Sequence, residues 1–370
     1  MSLLLLLHSQ NKTVIDWSFL GALPSGMTFA RASNASYYNS AGVLSTASSG
    51  TPRFDYNPST LAINGLLIEE QRTNLCLYSG LIGGSSWSAM NGASITVNDA
   101  VAPDGTTTAS LFTATAQYSN VGQNIGYSSG TTYTFSLWAK RVSGNNTLNL
   151  WDNSAANANI GSFSPTSQWQ RFSFQYVAPN SQVGLVIQDR NSSGFGSILV
   201  WGMQVEAGAF ATSYIPTTSS AATRAADSLS NTNPFWLNLS AGAFEVETIL
   251  SQFSTIPITF NNDKSNSGFN TGNGNGYWWN GTSNIQTANS VAIGNVRKEG
   301  FSYTAASRAI CLNGGAVASD GSAPWPAAPA TFYFGSASGS PSVQNINGWL
   351  RSFKYWNTAL SAAQLQQVTT

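Results

Sequence analysis

Turn signals recur along this chain at short intervals, and little between them has the length or the periodicity of a helix. Pro24-Ser-Gly, Asn39-Ser-Ala-Gly, Ser48-Ser-Gly, Pro103-Asp-Gly, Ser128-Ser-Gly, Ser143-Gly-Asn-Asn, Asn280-Gly, Asn313-Gly-Gly and Asp320-Gly punctuate segments rich in β-branched and aromatic residues. Glycine and asparagine reverse the chain cheaply, and the short segments between them suit half-buried strands. The pattern predicts an all-β chain of sandwiches rather than a helical or α/β fold.

Alternation sharpens that expectation. Tyr133, Phe135, Leu137 and Ala139 share one face of a strand, and Thr132, Thr134, Ser136, Trp138 and Lys140 take the other. Phe172, Phe174 and Tyr176 alternate in the same way, as do Val183, Leu185 and Ile187, and Ile198–Glu206 reads as a closing strand. Strands with one apolar face each must pack as two sheets. Later strands are expected at Ala243–Ile249, Ile256–Phe260, Ala330–Phe334 and Gly348–Trp356. Ser361-Ala-Ala-Gln364 is a capping box, the one convincing helix start. Three blocks result: residues 1–75, short strands and turns with little core of their own; 76–222, a jelly-roll-like sandwich; and 223–370, a second sandwich in tandem.

Charge narrows the function. Only 8% of the 370 residues are Asp, Glu, Lys or Arg, against roughly 25% in an ordinary soluble domain, and fifteen of each sign cancel. Solubility must come from Ser, Thr, Asn, Gln and Gly, which suits polar faces that meet sugars. There is no basic stripe for nucleic acid. The aliphatic run Leu3–Leu7 is far below the ~20 residues that span a bilayer, so no membrane insertion is expected. Cys76 and Cys311 fall in different blocks and read as two buried thiols rather than a disulfide framework, compatible with folding in a reducing cytoplasm.

Residues 28–79 resemble a known family. Thr28-Phe-Ala-Arg-Ala-Ser, Tyr38…Gly42-Val-Leu, Pro52-Arg-Phe-Asp-Tyr-Asn-Pro and Gly65-Leu-Leu-Ile-Glu-Glu-Gln-Arg-Thr-Asn-Leu…Tyr-Ser79 look like the N-terminal signature of bacteriophage head-spike and fibre-like virion proteins. Tyr133-Thr-Phe-Ser-Leu-Trp-Ala-Lys, Trp169-Gln-Arg-Phe-Ser-Phe and Val200-Trp-Gly-Met-Gln-Val-Glu-Ala-Gly…Thr212-Ser-Tyr-Ile-Pro-Thr-Thr resemble carbohydrate-binding jelly rolls. Cys311-Leu-Asn-Gly-Gly and Gly348-Trp-Leu-Arg-Ser-Phe-Lys-Tyr-Trp resemble laminin-G or concanavalin-A-like sandwiches, with Asn313 where that family often has Asp, which argues against calcium. The resemblance implies a virion protein assembled in the host cytoplasm and commonly trimeric. Residues 1–75 would attach it to capsid or tail proteins, the head more than the tail.

The chemistry-bearing residues point to binding rather than catalysis. His8, the sole histidine, is the one a Ser-His-Asp or Cys-His arrangement or a His-ligated zinc site would have to use, and in its apolar terminal stretch no such role is expected. No metal and no cofactor is expected, and no phosphate-cradling loop is present. Glu69 and Glu70 would point to opposite faces of a strand, whereas Glu245 and Glu247 would share one about 7 Å apart, the best pair a glycosidase could use. Glu206 is expected to make structural hydrogen bonds. Sugar binding asks instead for flat rings beside amides. Trp138 and Trp151 are the candidates in the second block, with Tyr277, Trp278, Trp279 and Asn280 in the third. Alternation places Trp278 opposite Tyr277 and Trp279, so at least one of those rings is core. Trp169 and Trp201 read as core, and Trp325, between two prolines, as exposed loop. The expected function is a non-enzymatic fibre or spike presenting glycan-binding modules. The alternatives are a ligand-free capsid decoration protein and a tail depolymerase.

Overall fold

A computed structural model describes residues 13–144, 147–232, 234–253, 255, 257–260, 268–270, 272–280, 282–324, 331–335 and 345–370. His8 and Trp325 lie outside them. The described chain is all-β, and its one α-helix is Ala362–Val368. Ser361 caps that helix through its side chain while Gln364 reaches back to the Ser361 amide, as the capping box predicts. Among the described residues, no helix is long and apolar enough to cross a membrane.

The chain separates into two compact units. One, called inner because its residues are internal in sequence, comprises Val43–Thr46 and Arg72–Arg224; the other, called outer for its place in sequence alone, comprises residues up to Gly42, Ala47–Gln71 and Ala225–Thr370.

The inner unit is a sandwich of two five-stranded antiparallel sheets. One runs in the order Gln170–Val177, Thr132–Arg141, Ser197–Ala207, Ala109–Thr113, Ser94–Ala100. The other runs Ala158–Phe163, Leu148–Asp152, Gln182–Asp189, Asn120–Gly126, Ser88–Met90. The expected apolar faces meet in one core: Tyr133, Phe135, Leu137 and Ala139 from the first sheet against Val183, Leu185 and Ile187 from the second. Each large side chain buried there contributes about 1.5–3 kcal/mol.

The polar face of the first sheet is buried as well. The segment after Ala207 folds back over it. Glu206 accepts the Thr212 amide at 2.8 Å and the Thr212 hydroxyl at 2.7 Å, and Gln204 accepts the Ile215 amide at 2.7 Å. This strap pays the polar cost of burying Thr134, Gln204 and Glu206, and Arg171 donates to buried Ser136 at 3.0 Å; none of the four is more than 1% exposed. The structural role expected of Glu206 is this one.

The outer unit is also a two-sheet sandwich. Its eight-stranded sheet runs Ala318–Asp320, Ser307–Leu312, Val296–Thr304, Ala241–Leu250, Gly348–Trp356, Ile63–Ile68, Phe54–Tyr56, with Thr13–Ser18 also paired to Gly348–Trp356. Its seven-stranded sheet runs Thr28–Ala30, Ser228–Asn231, Phe332–Phe334, Ile258–Phe260, Gly268–Asn270, Asn275–Trp279, Asn284–Ser290. Aromatic rings dominate the core between them. Trp278 lies flat on Phe301, centroids 3.6 Å apart, and Phe244, Phe332, Phe334, Phe353 and Tyr355 complete it.

This corrects the expectation that residues 1–75 stand apart. Their strands are too short to bury a core alone: Thr13–Ser18, Phe54–Tyr56 and Ile63–Ile68 join one sheet of the outer unit and Thr28–Ala30 the other, while Arg72–Asn74 pairs with Ala222–Arg224. Gly65 shows why the signature needs glycine there: its φ is +136°, and a Cβ would meet the Leu350 carbonyl oxygen at 2.6 Å. The signature's charges form a buried ion cluster. Arg53 donates to Glu69 at 2.8 Å and also pairs with Asp227, which in turn binds Arg31 at 3.1 Å. Burial pulls the Arg53 pKa down, but Asp227 and Glu69 more than offset it, so the guanidinium stays charged. Cys76 and Cys311 are buried free thiols, as expected.

Candidate functional site

The second sheet of the inner unit buries Val121, Leu148, Leu150, Leu185 and Ile187, so the alternate residues form its outer face. The strand registers arrange them in two rows. One row reads Met90, Asn120, Gln188, Asn149, Ser162, and the other Ser88, Gly122, Val186, Trp151, Asn159. Five strands at the usual spacing make this face roughly 20 Å wide. Beside Met90 and Val186 it carries amides, hydroxyls, one indole and no acid; Asn120, Val186 and Gln188 are buried, so Asn149, Trp151, Asn159 and Ser162 are its reachable part around the indole. Gly122 keeps the floor low, since a Cβ there would meet the Leu185 carbonyl oxygen at 2.3 Å and Val186 Cγ1 at 2.4 Å.

Trp151 is half-buried, and its Nε1 donates to Asn157 Oδ1 at 2.9 Å. The Arg190 guanidinium lies 3.7 Å from its ring centroid and 5.0 Å from that of Tyr118. Arg190 Nη1 also donates to Gln188 Oε1 at 2.8 Å. Asn149 Nδ2 donates to Ser162 Oγ at 2.8 Å and to Asn159 Oδ1 at 3.2 Å. Beneath the ring's strand, buried Asp152 accepts the Tyr176 hydroxyl at 3.0 Å and the Gly184 amide at 3.1 Å. Burial, then the Asp152 hydrogen bond, pushes Tyr176 up to about 12, so that brace stays protonated at neutral pH. The result is a fixed, flat aromatic and guanidinium platform ringed by hydroxyl-binding groups.

Of the six sequence candidates, Trp151 stands on this face. Trp138 does not. It is 2% exposed, packed on Trp201 and Tyr214 with Arg171 over its ring at 4.4 Å, because the strap covers the face it occupies. Trp201 is buried in that same cluster rather than in the central core, and Trp169 is only half-buried. Trp278 is fully buried in the outer unit. Tyr277 and Trp279 alternate with it on the opposite face, half-buried, paired with exposed Gln286 and Asn284. Asn280 is committed to its own turn: Oδ1 accepts the Thr282 and Ser283 amides at 3.0 and 2.8 Å, and Nδ2 donates to the Ala323 carbonyl at 2.8 Å.

Sequence reasoning missed Arg190, Gln188, Asn149 and Tyr118. The first two were findable, because Val183, Leu185 and Ile187 point inward and so put Gln188 and Arg190 on the outer side.

Three of the four candidate carboxylates face a cation. Glu247 binds Arg351 and buried Glu245 lies 3.4 Å from Lys354, on a central strand rather than an edge. Glu69 is in the ion cluster and Glu70 exchanges hydrogen bonds with Asn347. Asn313 spends its amide group on the Lys298 amide and the Val296 carbonyl, at 2.7 and 3.0 Å. Among the described residues no three His, Cys, Asp or Glu side chains gather as a metal site requires.

No family model and no curated protein sequence matches the chain. Solved structures do. A family 22 carbohydrate binding module of Clostridium thermocellum Xyn10B is 21% identical, over 37% of this chain and 94% of that one, with a TM-score of 0.28. The CBM22-1–CBM22-2 tandem domain of Paenibacillus barcinonensis Xyn10C is 11% identical over 77% of this chain and 98% of that one, TM-score 0.29. Tailspike protein 4 of bacteriophage CBA120 is 13% identical over 36% of this chain and 21% of that one, TM-score 0.28. Similarity of this size transfers no role to any residue of this chain.

Proposed function

We propose that the chain is a glycan-binding virion protein, a fibre or spike attached to the phage head, that holds sugars on the Trp151 face of its inner unit. One observation carries the binding reading: a half-buried indole stacked with a guanidinium, beside the reachable Asn149, Asn159 and Ser162 on a sheet face free of acids. Pyranose rings offer apolar C–H faces to such a ring and hydroxyls to such amides. The face formed by Tyr277 and Trp279 is the secondary candidate. The virion assignment, with its trimeric assembly and its capsid partner, rests on the resemblance of residues 28–79.

The test is binding of the full chain to a glycan array and to host cells, with Trp151→Ala and Tyr277→Ala/Trp279→Ala variants. Saturable binding lost in Trp151→Ala supports the reading. Flat signals throughout would favour the ligand-free decoration protein, for which the burial of Trp138, Trp278 and Asn280 already speaks. A depolymerase finds less support, since Glu245 and Glu247 each face a cation.

A further inference from the structure

Resting on the glycan-binding reading of the Trp151 face, we infer that its ligand is an acidic polysaccharide, bearing uronic-acid carboxylates that Arg190 receives. Six other cations of this charge-poor chain have a carboxylate partner: Arg31 and Arg53 in Asp227, Arg297 in Glu299, Arg308 in Asp320, Arg351 in Glu247 and Lys354 in Glu245. Arg190 has no carboxylate partner among the described residues; its contacts are Gln188, Trp151 and Tyr118.

The geometry is that of a prepared receptor. Stacking between two rings fixes the plane of the guanidinium, and the bond to Gln188 fixes its rotation, so little entropy is lost when it pairs. Of the five N–H donors an arginine carries, Nη1 alone is engaged by a side-chain acceptor on this face. A planar, half-exposed fork of this kind matches a carboxylate bidentately. The neighbouring side chains are neutral: Asn120 and Gln188, both buried, and Asn149, Asn159 and Ser162, which solvent reaches. A sugar carboxylate would therefore meet one positive charge and no negative one, while its hydroxyls meet Asn149, Asn159 and Ser162. A site for neutral glycans has no need of an uncompensated cation.

Isothermal titration of the full chain with polygalacturonate and alginate fragments, and with the same fragments after carboxyl reduction, tests this. The acidic forms should bind at least tenfold more tightly. Raising salt should erode that advantage and leave the reduced forms unaffected. Arg190→Gln should bring the acidic forms down to the reduced ones, and Arg190→Lys, which keeps the charge without the fork, should recover only part. Equal affinity for both forms, or an acidic preference that survives Arg190→Gln, overturns the inference. If reduced fragments bind equally well and Trp151→Ala abolishes that binding, the inference falls and the glycan-binding reading stands. If neither form binds and the neutral arrays are also blank, both fall.

Discussion

Arg31 and Asp227, 196 positions apart in sequence, meet at 3.1 Å with both side chains fully shielded from solvent. Asp227 also binds Arg53 and accepts the Glu69 amide at 2.9 Å, so three segments of the outer unit converge on one carboxylate. Removing one member of such a cluster leaves the others buried and uncompensated. Arg53→Ala should destabilise the outer unit by about 3–5 kcal/mol. Urea unfolding followed by the fluorescence of its tryptophans measures this. A loss below 1 kcal/mol would mean that water or a rearranged partner replaces the guanidinium.

Trp138 and Trp151 should respond oppositely to truncation. Trp138→Ala opens a cavity under the strap and should cost about 3–5 kcal/mol of inner-unit stability, with glycan binding intact in whatever fraction stays folded. Trp151→Ala should cost far less stability and abolish binding. Thermal melts and titrations of the two variants, run side by side, check the pair.

The strap depends on one carboxylate. Glu206→Ala removes the acceptor for both the amide and the hydroxyl of Thr212, and each such charged hydrogen bond contributes about 1.5–3 kcal/mol. Amide exchange over residues 208–217 should accelerate by two orders of magnitude or more, with exchange in the core strand Thr132–Arg141 much less affected.

Burial, the largest cause, raises the Glu245 pKa above its ordinary 4.5, and the Lys354 charge only partly opposes it. The folded state thus holds this proton more tightly than the unfolded one, and the group's contribution to stability falls as pH rises from 4.5 through the raised value. Glu245→Gln should flatten that fall. Asp55, raised chiefly by burial too, slopes in the same direction and is unchanged in the variant, so the difference between the two urea-midpoint curves isolates Glu245. Parallel curves would show that Lys354 holds the carboxylate charged in both states.

Much of the fold was legible because alternation reports which side of a strand meets a core. Val183, Leu185 and Ile187, the Tyr133–Ala139 face and the strand Gly348–Trp356 lie as that rule requires. The candidate site was legible only in part. Alternation gives two faces but not what lies over the second one. Trp138 and Trp151 both stand opposite a core face, yet a strap anchored on Glu206 buries the first and the second stays half-exposed beside Asn149, Asn159 and Ser162. Asn280 failed for a local reason, since Asn before Gly builds turns with its own side chain. The separation of residues 1–75 failed because strand pairing across hundreds of positions leaves no mark in a local window.

That pairing has a consequence for how the chain is made. The strand Gly348–Trp356 is the partner of Thr13–Ser18, Ile63–Ile68 and Ala241–Leu250 at once. A ribosome delivers residues 13–68 long before the strand that holds them, while the inner unit is complete at Arg224. The Trp151 face can therefore mature on the nascent chain while the outer unit's first strands wait with open edges, exposed to mispairing until synthesis passes Trp356.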